Sequence, residues 1–338
     1  MSKSMKKVKN DFTYYLTNFF TVYLVNQKNV SNNTIKSYRD TFKILLQYFR
    51  TSKNIDISHI SLNAFSKEFI LNFLDYLENE KNNSISTRNQ RLASIHAFCK
   101  FVQTEEPIYI DNLQKIIDIP FKKRIQKVID YLTPEAMRIL LEQPDISSRN
   151  GFRDLVIMSL LYDSGARIQE LVDLKVKDIR IEAPSTVTLH GKGNKIRQVP
   201  IMTNTKKLLK QYIEKFRKSS NQYLFESSKD KKFTRKGICY IINKYAEMAQ
   251  KQLPIIPRKI SPHQFRHSKA MHLLQSGVNL IYIRDFLGHV DIQTTEIYAK
   301  YDTETKRKAI ENAYPDLVQA DVPNWNEDID LLQWLNTL

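Results

Sequence analysis

Apolar side chains recur at helical spacing in three segments between residues 11 and 103. In SNNTIKSYRDTFKILLQYF, which begins at Ser31, they repeat every three or four positions, as an amphipathic helix requires. The segments SKEFILNFLDYLEN, from Ser66, and SISTRNQRLASIHAFCKFV, from Ser84, repeat this pattern after a polar residue that can cap a helix. The pattern predicts a helical bundle of the four-helix type.

The helical period is lost in the basic segment PFKKRIQK, which begins at Pro120. It resumes at Thr133, which can cap a new helix with Pro134 at the first position. From these changes we predict four parts of the chain, which are a helical domain over residues 1–117, a linker over 118–132, a second domain over 133–314 and a tail over 315–338.

One stretch of the second domain has the pattern of strands. STVTLHGKGNKIRQVPI alternates apolar and polar residues on both sides of a turn over residues 191–194, which predicts a β-hairpin. Helices are predicted at 203–217, 234–249, 261–276 and 279–288, and a short amphipathic helix in the tail. The predicted fold class is therefore mainly α with a small β-hairpin or sheet.

Charge is distributed unevenly along the chain. There are 52 Lys and Arg residues against 36 Asp and Glu, a formal net charge of +16. Six carboxylates and no Lys or Arg follow Lys308, so removing their −6 leaves the first 308 residues at +22. A basic body with an acidic tail indicates a polyanionic partner, most simply nucleic acid; a lysine-rich solvated surface is the alternative.

The composition also bears on where the protein works. The apolar fraction of 42% indicates folded domains, and without a run of 18 apolar residues we expect no membrane helix. The basic start MSKSMKKVKN lacks the apolar core of a signal peptide. Cys99 and Cys239 lie far apart in sequence, which favours a reducing compartment and no zinc knuckle. We expect a cytoplasmic protein that is associated with the nucleoid when bound to DNA.

Histidine, arginine and tyrosine are concentrated in residues 261–302, which hold four of the seven histidines. His263 and His267 have a spacing that can bind metal on a helix, but a third ligand is not evident, so no metal is predicted. The glycine-rich GKGNK lies between two strands and lacks the ending of a P-loop. These residue types suit phosphodiester cleavage without a metal, in which arginines hold the oxygens, histidines or a lysine move protons, and a tyrosine attacks.

Four motifs in this chain, taken in order, resemble those of the tyrosine recombinases, or phage-type integrases. SGARIQEL resembles the first-arginine motif, which gives Arg167 a catalytic role and Glu170 a supporting one. GKGNKIRQVPI resembles the β-hairpin motif, in which Lys192 matches the catalytic lysine.

The other two motifs lie in the histidine-rich region. SPHQFRHSKA resembles the His-x-x-Arg motif and supplies His263 and Arg266. LGHVDIQTTEIYAKY resembles the terminal motif, with His289 and the nucleophile Tyr298. His267 and His272 fit no catalytic position, and we assign them to packing or to DNA backbone contact.

The resemblance implies a core-binding domain and a catalytic domain that close around double-stranded DNA. Tyr298 would form a 3′-phosphotyrosyl bond, and the 5′-hydroxyl of a partner strand would rejoin the DNA without ATP, metal or another cofactor. The resemblance also implies a homotetramer on paired sites, leaves room for accessory DNA-bending proteins, and gives no membrane partner. The predicted function is a site-specific recombinase for integration, excision or transposition of a mobile element.

Several alternatives remain open from the sequence. The same chemistry serves chromosome or plasmid dimer resolution and strand-nicking topoisomerases, and a non-catalytic DNA-binding relative would keep the fold. Tyr301 and Tyr314 are rival nucleophiles whose spacing from His289 is less suitable. The tail is expected to dock on a neighbouring subunit, with packing on its own subunit as the alternative. Further basic residues are candidates for DNA contact, namely Arg88, Arg91, Lys122, Lys123 and Arg124.

Overall fold

A computed structural model describes most of the chain, namely residues 11–53, 60–123, 129–191, 193, 195–228, 231–289, 291–301, 307 and 335–337. The chain divides into two compact units, Met1–Lys127 and Val128–Leu338. No helix in the described ranges is long and apolar enough to cross a membrane. The tail helix predicted from Ile329, Leu332 and Trp334 lies outside the described residues, and Leu335 is exposed.

The first unit is helical, and the three periodic segments each form a helix as predicted. Serine side chains cap two of them, because Ser66 Oγ accepts from the N–H of Phe69 and Ser84 Oγ from that of Thr87. The helices are α1 (Asp11–Asn18), which continues as a π-helical stretch over Phe19–Gln27, α2 (Asn32–Lys53), α3 (Lys67–Asn79), α4 (Ile85–Glu105) and α5 (Ile110–Ile117).

Aromatic side chains fill the centre of the first unit. The ring centroid of Phe98 lies 5.5 Å from those of Phe12 and Phe19 and 5.2 Å from that of Phe42. All four rings are at most 2% exposed. Edge-on contacts of this kind stabilise a core beyond the apolar area that they bury. The faces predicted from the helical period therefore do converge on one core.

Helix α4 is buried on most of its circumference, which corrects one sequence-based prediction. Arg88 was predicted as a DNA contact, but its side chain is 5% exposed. Its Nε lies 3.2 Å from Glu78 Oε1, and its Nη1 donates to the carbonyl of Pro120 at 3.4 Å. Arg91 is half-buried, and burial lowers its pKa. Arg88 therefore makes contacts inside this unit, and the prediction that it contacts DNA is wrong.

The basic segment after α5 is fixed to α4 over its described part. Asn89 Nδ2 donates to the carbonyl of Lys122 at 2.8 Å, and the N–H of Lys122 donates back to Asn89 Oδ1 at 3.2 Å. Lys122 Nζ also pairs with Glu78 at 2.7 Å, although the side chain stays 48% exposed. Lys123 is exposed, and Arg124 lies outside the described residues. Lys122 and Lys123 are thus both accessible to a phosphate.

The second unit combines helices with two small sheets. Thr133 caps its first helix by accepting from the N–H of Ala136, as predicted. The helices are α6 (Pro134–Glu142), α7 (Arg149–Ser164), α8 (Ile168–Asp173), α9 (Thr203–Lys215), α10 (Arg235–Gln252), α11 (Pro262–Gln275), α12 (Leu280–Leu287) and α13 (Gln293–Tyr301). The strands are β1 (Ile179–Arg180), β2 (Thr186–His190), β3 (Ile196–Pro200), β4 (Glu226–Ser228) and β5 (Lys231–Lys232).

The predicted hairpin is present as β2 and β3. They pair antiparallel with Leu189 opposite Arg197, and β1 adds a third strand in the order β1-β2-β3. Val187 and Leu189 are buried, as the alternating pattern requires. The sequence pattern predicted neither β1 nor the separate β4–β5 pair.

Helix ends shape one side of the second unit. Helix α7 ends at Gly165 with φ of +56°, and α12 ends at Gly288 with φ of +63°. Glycine adopts this left-handed conformation without the steric cost that a Cβ brings. Arg167 is the N-cap residue of α8 and so follows the end of α7 directly. The carbonyls at the ends of α7 and α12 face side chains from α8, β3 and α11.

Candidate active site

Arg167 is held at the start of α8 by a carboxylate of the same helix. Its Nη1 donates to Glu170 Oε1 at 2.9 Å, and its backbone N–H donates to Oε2 at 2.8 Å. A third donor, Nη2, reaches the carbonyl of Gly288 at 3.3 Å. The contact expected between Arg167 and Glu170 is therefore present, and it points the guanidinium toward the end of α12.

Arg197 on β3 shares the same carboxylate, and the sequence analysis missed it. Its Nη1 and Nη2 donate to the two oxygens of Glu170 at 2.9 and 2.7 Å, and its Nε donates to the carbonyl of Phe286 at 3.1 Å. Alternation along β3 places Arg197 on the same face as the buried Val199. A charged residue on the core face of a strand was the signal that could have revealed it.

Arg266 on α11 is bound by backbone rather than by a carboxylate. Its Nη1 donates to the carbonyl of Gly165 at 2.7 Å and its Nη2 to that of Leu287 at 2.6 Å. These carbonyls lie at the C-terminal ends of α7 and α12, where unpaired C=O groups carry partial negative charge. The residue is 4% exposed, so its position is set almost entirely by these two helix ends.

Two of the three guanidiniums pair with Glu170 and the third binds only backbone carbonyls, which leaves an excess of positive charge. Burial, followed by Arg167 and Arg197, lowers the pKa of Arg266 to about 9. Burial by itself raises the pKa of Glu170, but its bonds to Arg197 and Arg167 outweigh this and lower it. Because like charges this close repel, a bound anion would relieve part of the excess. A phosphate group has the charge and the acceptor oxygens for this position.

A cleft of about 610 Å³ opens beside these arginines. Gly288 faces it, and a Cβ added there would lie 2.8 Å from Arg197 Cδ, so the side chain of Arg197 requires a glycine at this position. The predicted catalytic Lys192 lies outside the described residues. The residues that line the cleft are Arg167, Gly191, Gly193, Lys195, Ile196, Arg197, Gly288 and His289.

His289 reaches this cleft as a neutral side chain. Its Nδ1 lies 2.9 Å from Thr295 Oγ1, in a hydrogen bond that orients the ring. Burial, followed by Arg266, Arg167 and Arg197, lowers the pKa of His289 to about 4. Its neutral form can therefore donate or accept one hydrogen bond at neutral pH.

Tyr298 on α13 is buried against the C-terminal helices. It is 2% exposed and packs in a cluster with Met271, Ile283 and Leu287. Its hydroxyl lies 2.9 Å from Nδ1 of His267, a contact that the sequence analysis did not foresee. Burial raises the pKa of Tyr298 above its ordinary value, while Arg266 and Arg167 oppose that rise.

Of the other histidines of α11, His263 lies near His267 and His272 lies in a separate hydrogen-bonded pair. His263, in the first turn of the helix, is exposed, with its ring centroid 6.3 Å from that of His267. His272 bonds Tyr162 Oη at 2.8 Å and the Leu132 carbonyl at 2.8 Å, so of its two predicted roles, packing or DNA backbone contact, these bonds support packing. Over the described ranges, no group of three His, Cys, Asp or Glu side chains is placed to hold a metal.

Comparisons with known proteins identify the family. The model of the phage integrase family matches residues 130–305, and that of the phage integrase N-terminal SAM-like domain matches residues 18–106. The chain therefore belongs to the phage integrase family of tyrosine recombinases, a class of enzymes that transfer DNA strands. DNA binding and DNA recombination are the functions that define this family.

Individual relatives extend over nearly the whole chain. The protein y4rC of Sinorhizobium fredii, named for an inferred integrase or recombinase role, is 30% identical over 324 residues, covering 96% of this chain and 97% of its own. Tyrosine recombinase XerD of Staphylococcus epidermidis is 32% identical over 294 residues, covering 86% of this chain and 95% of its own.

Solved structures share the fold. The Tn1549 transposon integrase in complex with transposon right end DNA superposes with a TM-score of 0.67 at 17% identity, covering 87% of this chain and 98% of that one. XerH recombinase bound to its difH substrate gives a TM-score of 0.63 at 21% identity, covering 93% and 92%. The mainly helical fold with a small sheet is thus that of tyrosine recombinases.

The low pKa of His289 predicts a pH dependence of stability. Between pH 6.5 and about 4 the unfolded chain binds a proton at this histidine and the folded chain does not. The contribution of His289 to the free energy of unfolding is therefore complete above pH 6.5 and is lost as the pH falls toward 4. His289→Gln should make the free energy of unfolding fall less steeply as the pH is lowered, by up to about 1.4 kcal/mol per pH unit. This is the slope produced by a difference of one bound proton between the folded and unfolded states.

Urea unfolding of both proteins across this pH range measures the effect. The other titratable groups, including Arg167, Arg197, Arg266 and His267 around this site, are present in both proteins, so the difference isolates His289. Parallel curves for wild type and variant would contradict the electrostatic description of the site.

Proposed function

We propose that this protein is a site-specific DNA recombinase whose nucleophile is Tyr298. The phenol oxygen attacks a phosphorus of the DNA backbone, forms a 3′-phosphotyrosyl bond and releases a 5′-hydroxyl. The incoming 5′-hydroxyl of a partner strand attacks that bond and frees the tyrosine. The observation that carries the proposal is a group of three arginines, two paired with Glu170 and one held by backbone carbonyls, of which Arg167 and Arg266 act electrostatically on the buried Tyr298.

Each remaining residue has a proposed role in that reaction. Arg167 and Arg266 hold the nonbridging oxygens of the phosphate, whose charge increases in the transition state. His263 and His289 hydrogen-bond the same phosphate, and Lys192 donates a proton to the leaving 5′ oxygen.

Two further residues support this set without touching the phosphate. Glu170 holds Arg167, and Arg197 fixes Glu170 from the opposite side, which its two bonds to that carboxylate support. Since the protein itself supplies the positive charges, we propose that neither a metal nor ATP is needed.

The basic body of the chain is proposed to bind double-stranded DNA. The helical unit serves as the core-binding domain and the second unit as the catalytic domain, and the two close around the duplex. Lys122, Lys123, Arg124 and the partly exposed Arg91 are the proposed phosphate contacts of the first unit, whereas the buried Arg88 is not. Phosphate contacts of this kind make binding weaker as salt is raised.

We propose that assembly and cellular context follow the family. The protein forms a homotetramer on paired sites in the cytoplasm, with accessory DNA-bending proteins among its partners, and its tail over residues 315–338 docks on a neighbouring subunit. The biological role proposed is integration, excision or transposition of a mobile element, which the names of y4rC and the Tn1549 integrase support. Chromosome or plasmid dimer resolution is the second candidate, because XerD and XerC are among the similar proteins.

The first test replaces the nucleophile. Tyr298→Phe removes one hydroxyl and no proposed DNA contact, so covalent attachment should be abolished while DNA affinity stays within about twofold. The DNA substrate is a duplex that the wild-type protein selects by binding from a random library. Versions of this duplex are made with a nick at successive positions, and the version whose nick lies beside the scissile phosphate traps the covalent adduct. The assay contains EDTA, so it also tests the proposal that no metal is required. A covalent adduct formed by Tyr298→Phe would exclude Tyr298 and direct attention to Tyr301.

The second test concerns the arginines. Arg167→Ala and Arg266→Ala each remove hydrogen bonds to a phosphate that gains charge in the transition state, and each should slow single-turnover cleavage by at least ~100-fold. Arg284→Ala is the matched control, because Arg284 lies on α12 and pairs with Asp285. Weaker binding with an unchanged cleavage rate in the first two variants would place these arginines outside the reaction.

A further inference from the structure

His267 and Tyr298 form a buried hydrogen-bonded pair. The tyrosine is 2% exposed, and the phenol oxygen lies 2.9 Å from Nδ1 of the half-buried imidazole. A phenol carries one hydrogen, and a buried O–H without an acceptor is costly. The arrangement that satisfies it is a neutral imidazole with its proton on Nε2, so that Tyr298 donates to Nδ1.

A second pair on the same helix has this arrangement. His272 Nε2 donates to the carbonyl of Leu132 at 2.8 Å, which leaves Nδ1 to accept from the hydroxyl of Tyr162, also at 2.8 Å. Helix α11 thus carries two histidines whose Nδ1 meets a tyrosine hydroxyl. The pairs differ in their surroundings, because the ring of Tyr162 faces the ammonium of Lys269 at 5.0 Å, outside the arginine cluster.

The charged groups around His267 favour its neutral form. Burial lowers the pKa of His267, and His263 and Arg266 lower it further, whereas Asp130 raises it. Tyr298 keeps its proton in the resting protein, since burial raises the pKa of its hydroxyl. A neutral phenol is a weak nucleophile, so the attack on phosphorus needs a base within hydrogen-bond reach.

We propose that His267 is that base, which takes the phenolic proton of Tyr298 as the oxygen attacks the phosphate. This inference rests on the proposed function and names a catalytic residue for it. As the bond from Tyr298 Oη to phosphorus forms, the phenolic proton moves to Nδ1 of His267, and the bond from phosphorus to the 5′ oxygen breaks. The leaving oxygen takes a separate proton, for which Lys192 is the proposed donor.

The reverse half of the reaction uses the same pair. When the incoming 5′-hydroxyl attacks the phosphorus of the phosphotyrosyl bond, its proton returns to the neutral amine of Lys192. The phenol oxygen leaves and takes its own proton back from the His267 imidazolium. The imidazole therefore ends the cycle neutral, as it began. The hydrogen bond between Tyr298 Oη and His267 Nδ1 in the resting protein is therefore the path that the proton takes in the reaction.

The first arm of the test compares matched histidine variants. In His267→Asn the amide oxygen can still accept a hydrogen bond from the phenol but cannot take its proton. Single-turnover adduct formation on the nicked selected duplex should slow by about 100-fold or more, the usual range for loss of a general base. His272→Asn, which alters the second His–Tyr pair, should stay within about threefold of wild type. DNA affinity and thermal unfolding of both variants report whether they fold.

The second arm separates proton transfer from positioning. Difluorotyrosine at position 298 has a more acidic phenol and depends less on a base, so it should restore most of the lost rate in His267→Asn while changing wild type little. A duplex with sulfur in place of the scissile 5′ oxygen has a leaving group that needs no proton, so it should rescue Lys192→Ala and not His267→Asn.

The outcomes distinguish this inference from the proposed function. A wild-type protein that forms the adduct while His267→Asn forms it equally fast would overturn the inference alone. If His267→Asn is slow and difluorotyrosine does not restore its rate, proton transfer to His267 is ruled out. It is also ruled out if His263→Asn, and not His267→Asn, shows the slow adduct formation that difluorotyrosine restores. If the wild type forms no adduct, the proposed function fails, and the inference fails with it.

Discussion

Repulsion among three arginines is the constraint around which the second unit is organised. Arg167 and Arg197 are kept together by the single carboxylate of Glu170, whose side chain is 3% exposed. Arg266 has no carboxylate of its own and rests on carbonyls at the ends of α7 and α12. A buried charge without compensation costs several kcal/mol, so an excess of this kind is retained where an anion completes the site. The phosphate of a DNA backbone is the anion that the family binds.

Several features of the fold follow from that requirement. Helices α7 and α12 end in left-handed glycines, which turns the chain sharply and leaves carbonyls free to accept from Arg266. Gly288 also has to lack a side chain, because Arg197 passes directly against it. Helix α11 then carries Arg266 and His267 side by side, one among the arginines and the other on the hydroxyl of Tyr298.

The sequence predicted local features well and long-range ones poorly. Helical period and caps such as Ser66, Ser84 and Thr133 are local signals, and the helices that they predicted are present. The burial of Arg88 was missed because α4 is packed on most of its circumference. The face opposite its apolar stripe is therefore also buried. The partners of Arg197 and His267 lie 27 and 31 residues away, and no local pattern specifies such pairings. The motifs identified Arg167, Arg266, His289 and Tyr298, with Glu170 as a support. The roles of Arg197 and His267 became evident only from the fold.

The most direct measurement is to locate the nucleotide on the protein after the covalent complex has been trapped. Cleavage by trypsin after Arg284 and Lys300 releases DFLGHVDIQTTEIYAK, in which Tyr298 is the only tyrosine, while Tyr301 begins the next peptide. After nuclease digestion, mass spectrometry should find the added nucleotide on that peptide, with fragment ions that assign it to Tyr298. A nucleotide on the peptide that begins at Tyr301, or on a side chain elsewhere in the chain, would contradict the account.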